Sequence, residues 1–484
     1  MNQALGTHGL LADYDAGGRF CELTGPPGGD APHAAGLRAR LQRLSLDELR
    51  QRAHDAELEL YNFGITFTVY THKDAIDRIL PFDAIPRPIA SDEWAHLERG
   101  VRQRVTALNR FLRDVYHERH ILNDRIVPAD VVFSNPNYRP EMEGLAVPHD
   151  TYVHIDGSDL IRGDDGVFHV LEDNARCPSG VSYMVENRHL MLRTFPDLID
   201  DQPVRAVSNY GQRLRSALGE IAPPGIDNPN VVLLTPGTFN SAYFEHIFLA
   251  REMGVSLVEG RDLVVENDRV YVRTIRGLQP VHVIYRRIND DALDPRAFNP
   301  ESLLGVPGLF QAYRRGNVAL ANAVGTGIAD DKALYAYMPR IIRYYLDEDP
   351  ILANVETHLC REHEGLQYTL DHLDELVVKP VGEAGGYGIT VGPHASREEL
   401  EQCRQQILDR PHNWISQPMI SLSVSPTLVD GGIEPRHVDL RTFAVTGRDT
   451  WVAPGGLTRV ALRKGSLIVN SSQGGGSKDT WVLE

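Results

Sequence analysis

Apolar residues recur at three- and four-residue spacing through residues 92–122, at Trp94, Leu97, Val101, Val105, Leu108 and Leu112, which predicts an amphipathic helix. Residues 37–60 carry the same periodicity. Between the two lies Gly64-Ile-Thr-Phe-Thr-Val-Tyr70, a run rich in β-forming residues. Residues 150–176 read as two strands joined at Asp164-Asp165-Gly166, where the Asp-Gly step favours a hairpin. Further on, Val231-Val-Leu-Leu234 is a short buried-strand run that leads into Thr235-Pro-Gly-Thr-Phe-Asn-Ser241 and then a helical stretch from Ala242 to Met253. Strand-like runs follow at 256–259, 269–272 and 282–285. Strand, turn, helix, strand is the signature of an α/β unit with a parallel core. From about residue 330 the pattern gives helices up to about 365 and strands thereafter, with no internal repeat.

These elements predict an α/β fold and a division of the chain. Residues 1–36, rich in Gly, Pro and Asp, read as a flexible N-terminal arm. A largely helical region spans 37–149, the paired strands lie in 150–190, the α/β unit occupies 200–325, and 326–484 form a third unit. The formal charge of -17 argues against nucleic acid or an anionic membrane as a bulk partner. No apolar run approaches the ~18 residues of a membrane helix. The first residues lack the basic and apolar segments of a signal peptide. Cys21, Cys177, Cys360 and Cys403 are scattered, with neither zinc-site nor disulfide spacing, so a cytoplasmic setting is expected. The oligomeric state stays open, a homo-oligomer included.

Candidate chemistry is concentrated in the third unit. Val377-Val-Lys379-Pro380 is a strand ending in a lysine, followed by Val381-Gly-Glu-Ala-Gly385-Gly386-Tyr387-Gly388. Glycine backbone can wrap phosphate oxygens, and a lysine at the strand end adds a cation beside them. The glycines alone would suit a plain turn; the pairing with Lys379 favours phosphate binding. Trp414-Ile-Ser-Gln417-Pro-Met419-Ile420 is an apolar strand with one amide, suited to an adenine ring or to an ordinary core. Lys332 stands behind Asp330-Asp331 at a helix start, where an anion could enter. Arg441 and Arg459 lie in apolar strand runs, where an arginine needs an anionic partner; both are candidate clamps for a phosphoryl group. Asn470 lies on a similar segment.

A second set is found far upstream. Asp159, Glu172 and Asn174 offer hard oxygen ligands suited to Mg2+. On a strand, Glu172 and Asn174 face one side and Asp173 the other. A hairpin with a solvated acidic face is the plainer reading of this stretch, but Asn174 and the following Arg176-Cys-Pro-Ser179-Gly180 loop favour a metal site.

Together these pieces resemble the ATP-grasp superfamily of carboxylate–amine ligases. The stretch Asp439-Leu-Arg441-Thr-Phe-Ala-Val445, Arg459-Val-Ala461 and Asn470-Ser-Ser-Gln-Gly-Gly looks like ligases that add glutamate to proteins or small peptides. Their next motif resembles Asp159-Leu-Ile-Arg162, then Val170-Leu-Glu172-Asp173-Asn174, which here lies near the N-terminus. The chain from about Tyr61 onward is therefore similar to the circularly permuted ATP-grasp family, including glutathionylspermidine-synthase-like proteins. Gly64–Tyr70, Pro178–Tyr183, Asn240–His246, Tyr285-Arg286-Arg287 and Asn470–Gly476 carry the likeness.

The resemblance implies a permuted ATP-grasp module, with residues 150–190 as its metal-binding part, 326–484 as its nucleotide-binding part and 200–325 as a pre-ATP-grasp substrate domain. It implies ATP and Mg2+ as cofactors and a ligase that forms an amide through an acyl phosphate, using small-molecule or peptide carboxylates and amines. ATP would be held by Lys332, Lys379, Gly385, Gly386, Tyr387, Gly388, Gln417, Met419 and Ile420, and Mg2+ by Asp159, Glu172 and Asn174. Arg441, Arg459 and Asn470 would be catalytic. The substrate would meet Arg176 and Ser179, and also Thr238, Asn240 and Ser241, which follow a strand end where α/β sheets bind ligands, with Arg286 and Arg287. A salt bridge at an element's end is the plain reading of the last two. A phosphotransferase of the same fold and a non-catalytic nucleotide-binding scaffold are the alternatives.

Overall fold

The structure, a computed structural model, describes residues 9–70, 75–382, 388–466, 469 and 474–484. Its centre is a sheet drawn from both ends of the chain. The strands run in the order Ala353–Asn354, Phe168–Asn174, Ile155–Arg162, Gly432–Thr446, Thr450–Val460, Gly476–Val482 and Phe82–Ile89. Strand Val424–Val429 pairs with the start of Gly432–Thr446. The decisive junction is the antiparallel pairing of Ile155–Arg162 with Gly432–Thr446, which sets Asp159 opposite Arg441.

Each face of this sheet is covered because its strands alternate in both directions. Leu160, Leu440 and Val452 point to the long helix Ser91–Tyr116, whose Trp94, Leu97, Val101 and Val105 are buried against them. Ala453, Leu457 and Phe443 point the other way, into a core shared with helix Val181–Thr194. The expected helix near 92–122 is thus present, and its apolar stripe is the one read from the sequence. At ~25 cal/mol per Å² of apolar surface, such a stripe outweighs any intrinsic preference of the Arg- and Glu-rich remainder.

The middle of the chain forms a four-stranded parallel sheet, ordered Ala319–Ala321, Val283–Arg286, Val231–Leu234 and Ser256–Val258. Helix Tyr243–Met253 links its two strands Val231–Leu234 and Ser256–Val258. Asn322 fastens this sheet to the central one. Its amide oxygen accepts the N–H groups of His154 and Ile155, both at 2.7 Å, and its amide nitrogen donates to the carbonyls of Ile155 and Ala175. A third, antiparallel sheet runs His358–Leu359, Trp414–Pro418, Leu376–Pro380 and Thr390–Val391, backed by helix Arg397–Asp409.

Two expectations are corrected. Residues 9–36 are not a flexible arm: Cys21, Leu23, Ala31 and Ala34 are buried with Ile85, Phe195, Val424 and Trp481. Glu22, fully buried, pairs with Arg87. Glycine- and proline-rich composition masked a short apolar set that finds its partners on distant strands. The region 37–149 also holds more strand than expected. Phe82–Ile89 carries Pro86 and Pro88, which argue against a strand until its position is known; it is the sheet's last strand, where a missing N–H is tolerated. No helix among the described residues is long and apolar enough to cross a membrane.

Candidate active site

Strands Ile155–Arg162 and Phe168–Asn174 form the expected hairpin, with Asp159 opposite Glu172 and Gly157 opposite Asn174. Period-two alternation then separates neighbours. Glu172 and Asn174 line a cleft, and the Asn174 amide donates to the Gly157 carbonyl at 3.0 Å. The carboxylate of Asp173 is engaged on the opposite side, where Arg104 of the long helix donates to both its oxygens at 2.5 and 2.7 Å.

Behind the hairpin a buried chain of alternating charge runs through the sheet. Arg441 donates to the two oxygens of Asp159 at 2.5 and 2.8 Å and to the Ser179 carbonyl at 3.1 Å. Arg459 reaches Asp159 at 2.7 Å and chelates Asp439 through Nε at 2.9 and 3.0 Å. Burial alone would raise the Asp159 carboxyl, but the two guanidiniums outweigh it and hold it well below the usual carboxylate range. Asp439 is pushed up, because burial is only partly offset by Arg459. Arg441 also comes within 3.9 Å of Glu172, although the two stand far apart in sequence.

Of the paired hairpin carboxylates Asp159 and Glu172, Glu172 is the one left facing the cleft. Desolvation, then the charge of Asp159, raises its carboxyl above the normal range, against the pull of Lys332 and Arg441. Lys332 lies 4.0 Å away as the first residue of helix Lys332–Leu346, whose N-cap Asp331 accepts the N–H groups of Ala333 and Leu334. Lys379 projects from the antiparallel sheet and donates to Gln417 at 2.6 Å, and Gln417 in turn donates to Thr357 at 2.9 Å. Desolvation lowers the Lys379 ammonium to about 8, with Glu172 opposing the shift and Lys332 adding to it. Ile420 packs beside Ile161, Val355 and Leu422, while Met419 is largely exposed next to it. Gly388 has φ +72°, and a Cβ there would lie 3.2 Å from Pro380 Cγ, so the turn beyond Lys379 requires glycine. Gly385, Gly386, Tyr387 and Asn470 lie outside the described residues.

The cleft holds about 450 Å³ between the hairpin, the start of helix Lys332–Leu346 and the edge of the parallel-sheet unit. Arg176, Ser179 and Ser241 line it together with Glu172, Asn174, Lys332, Arg441 and Arg459. Thr238 and Asn240 are not on its wall; Asn240 accepts the N–H of Ala242 instead. Arg286 does not reach the cleft either. It is buried, with its donors on the carbonyls of Asn322, Ile288 and Ala323 and an ion pair to Asp290. Arg287 is likewise interior and braces the wall, donating to the Pro178 carbonyl, Ser179 Oγ and Glu245. In place of the substrate contact expected of it, Arg286 makes a tie at the C-terminal end of strand Val283–Arg286, where its fork meets converging carbonyls.

Glu245, Asp330 and Asn137 are among the wall residues that the sequence did not single out for a role at the site. Glu245 accepts the N–H groups of Gly180 and Ser182 at 2.7 and 3.1 Å, fixing the start of helix Val181–Thr194. Asp330 accepts the N–H groups of Ala175 and Arg176 at 2.5 and 3.0 Å, and desolvation raises it to about 6 against those bonds and Arg176. Asn137 comes from a loop with no local signal. For Asp330, the doubled Asp-Asp before Lys332 was the available hint, since only one of the two can cap the helix.

For Mg2+, the donor set fits in part. Among the described residues no group of three or more His, Cys, Asp and Glu side chains gathers as a cage. Glu172 and Asn174 give two hard oxygens on one face, which suffices for an ion whose remaining ligands are phosphates and water. Asp159, expected as a third ligand, has both oxygens on arginines here.

A carboxylate–amide hairpin facing a lysine at a helix start across a cleft, with Lys379 and a second, antiparallel sheet beyond it, is the arrangement of an ATP-grasp protein. The chain belongs to the circularly permuted ATP-grasp type 2 family, whose model matches residues 86–461. An uncharacterized protein of Synechocystis sp. is 53% identical over 98% of this chain and 99% of its own length. One of Mycobacterium tuberculosis is 50% identical over 93% of this chain and 81% of its own. A putative glutamate–cysteine ligase of Frankia alni is 44% identical over 98% of this chain, which spans 54% of that longer protein. A glutathione synthetase-like effector of Globodera pallida has the same fold at 11% identity, with a TM-score of 0.58 over 91% of this chain and 98% of its own.

Proposed function

We propose that the protein is an ATP- and Mg2+-dependent ligase that joins a carboxylate to an amine, working in the cytoplasm on small-molecule or peptide substrates. The observation that carries this reading is the convergence of Lys332, Glu172, Asn174, Arg441 and Arg459 on one cleft, with Arg176, Ser179 and Ser241 on the adjoining wall. Adenine would rest near Gln417, Met419 and Ile420. Lys332 and Lys379 would face the phosphates, with Gly385, Gly386, Tyr387 and Gly388 as further ATP-binding positions. Glu172 and Asn174 would hold Mg2+, which supplies charge neutralisation at the phosphates. A substrate carboxylate oxygen attacks the γ-phosphorus and ADP leaves, giving an acyl phosphate. An amine nitrogen then attacks the acyl carbon, phosphate leaves and the nitrogen loses a proton. Arg441, with Arg459 behind it and Asn470 nearby in sequence, would stabilise the charge on the transferring group. The name borne by the Frankia relative supports a carboxylate–amine reaction, although it belongs to a protein of about twice this length.

The test is a screen of amino acids, short peptides and polyamines in pairs, reading ADP release and product mass. Amine-dependent ADP release with an amide product is the expected result. ADP release without an amine would mean a phosphotransferase, and nucleotide binding without turnover a scaffold. Lys379 adds a pH signature. Its ammonium is charged below about 8 and neutral above, so nucleotide affinity is expected to fall as pH rises from 7 to 9. A Lys379→Met variant should bind more weakly at pH 7 and lose that dependence; fluorescent-nucleotide titration measures both.

A further inference from the structure

The ionisable groups around the cleft differ sharply in how far they are already satisfied. Asp159 is 1% exposed, Arg459 8% and Arg441 13%, and all three are engaged with one another. The side chains of Arg176 and Asp330 are 33% and 23% exposed, and the guanidinium lies 3.5 Å from Asp330 Oδ2. The other contact of the Arg176 guanidinium is a long one, 3.4 Å to Asn137 Oδ1. Asp330 is held through Oδ1 by the Ala175 and Arg176 N–H groups, and among the described residues its Oδ2 has the loose Arg176 contact. A cation and an anion with unused hydrogen-bonding capacity therefore stand side by side on the wall, a short way from Glu172 and Lys332.

We propose that Arg176 and Asp330 form a head-group subsite for the α-amino-carboxylate end of an amino acid, and that a carboxylate on its side chain is the group activated. This rests on the ligase reading above. The α-carboxylate of such a substrate accepts from the Arg176 fork while its ammonium donates to Asp330 Oδ2, with the spacing of opposite charges that one carbon atom imposes. With both α-groups held, neither is free to react, and the remaining carboxylate extends towards Glu172, Lys332 and Arg441. The substrate class is then a short acidic α-amino acid, or a peptide ending in one, and the product carries a side-chain amide with its α-amino and α-carboxylate groups intact.

Calorimetric titration of the full chain, with Mg2+ and a non-hydrolysable ATP analogue, tests this directly using L-glutamate and L-aspartate, their α-carboxamides, and glutarate and succinate, which lack the amine. Each analogue is expected to bind more weakly than its parent, on the order of ten- to a hundredfold. Arg176→Gln should abolish the discrimination against carboxamides, and Asp330→Asn that against the amine-free diacids; Arg176→Lys should restore part of the first. Equal binding of parents and analogues to the wild type would overturn the subsite, as would no binding of either amino acid, or an equal penalty on parent and carboxamide in Arg176→Gln. Wild-type comparisons decide the matter even if a variant fails to fold. Failure of the ligase reading shows separately, as absent amine-dependent ADP release, and leaves the binding comparison intact.

Discussion

Glu172→Ala is expected to reduce ATP turnover by at least ~10²-fold, the scale on which even supporting groups of a metal site act. Glu172 is the hairpin carboxylate whose oxygens point into the cleft; Asp159 beside it is engaged by two arginines. Removing it leaves Asn174 as the hairpin's remaining oxygen donor on that wall, so the requirement for Mg2+ should rise together with the loss of rate. Glu172→Asp, which keeps the charge on a shorter arm, should recover part of the rate at raised Mg2+. The measurement is ADP release against Mg2+ concentration for wild type and both variants. Equal rates in Glu172→Ala and wild type would remove Glu172 from the site.

One residue further along the same strand the consequence changes kind. Arg104→Ala should destabilise the fold by about 3–5 kcal/mol, the usual result of leaving one member of a buried ion pair behind. Arg104 binds Asp173 through two donors and Asn354 through a third at 2.7 Å. Asp156 lies close enough that the charge of Asp173 adds to burial in raising its carboxyl to about 8. Because that folded value lies above the unfolded one, the native state holds the extra proton between roughly pH 4 and 8, and stability contributed by Asp156 is lost as pH rises through that window. In Arg104→Ala, which removes a guanidinium that lowers Asp156, the fall should be steeper. Urea midpoints at pH 6 and pH 8 check both statements, and a midpoint unchanged by the substitution would show the pair to be dispensable.

The contrast between Glu172 and Asp173 shows how much the sequence carries. Alternation from Glu172 to Asn174 sends the two carboxylates to opposite faces, and the Asp-Gly turn placed the hairpin, but a bulge opposite Asp159 and Leu160 that no local pattern announces decides which face each takes. The 3.6-residue rhythm from Trp94 to Leu112 gave the helix that covers it. What was not legible depends on partners remote in sequence. Arg286 and Arg287 are adjacent and look alike, yet one meets a ring of carbonyls and the other Glu245, and no local pattern separates those outcomes. Asp330 reads as part of a helix cap until Asp331 is seen to do the capping. Phe82–Ile89 hides behind its prolines because the property that excuses them, a place at the sheet's edge, belongs to the assembled sheet.

The interleaving of that sheet also sets an order of events during synthesis. Among the described residues, Phe82–Ile89 pairs with Gly476–Val482, and Asp159 has its counter-ions in Arg441 and Arg459. A ribosome that has passed residue 350 has released the hairpin but none of the strands that flank it on the Arg441 side, so Asp159 lacks its two arginines while the parallel-sheet unit, complete with Ala319–Ala321, is already able to close. Pairings of such sequence separation are slow to form, and the nascent hairpin edge is a template for other chains in the interval.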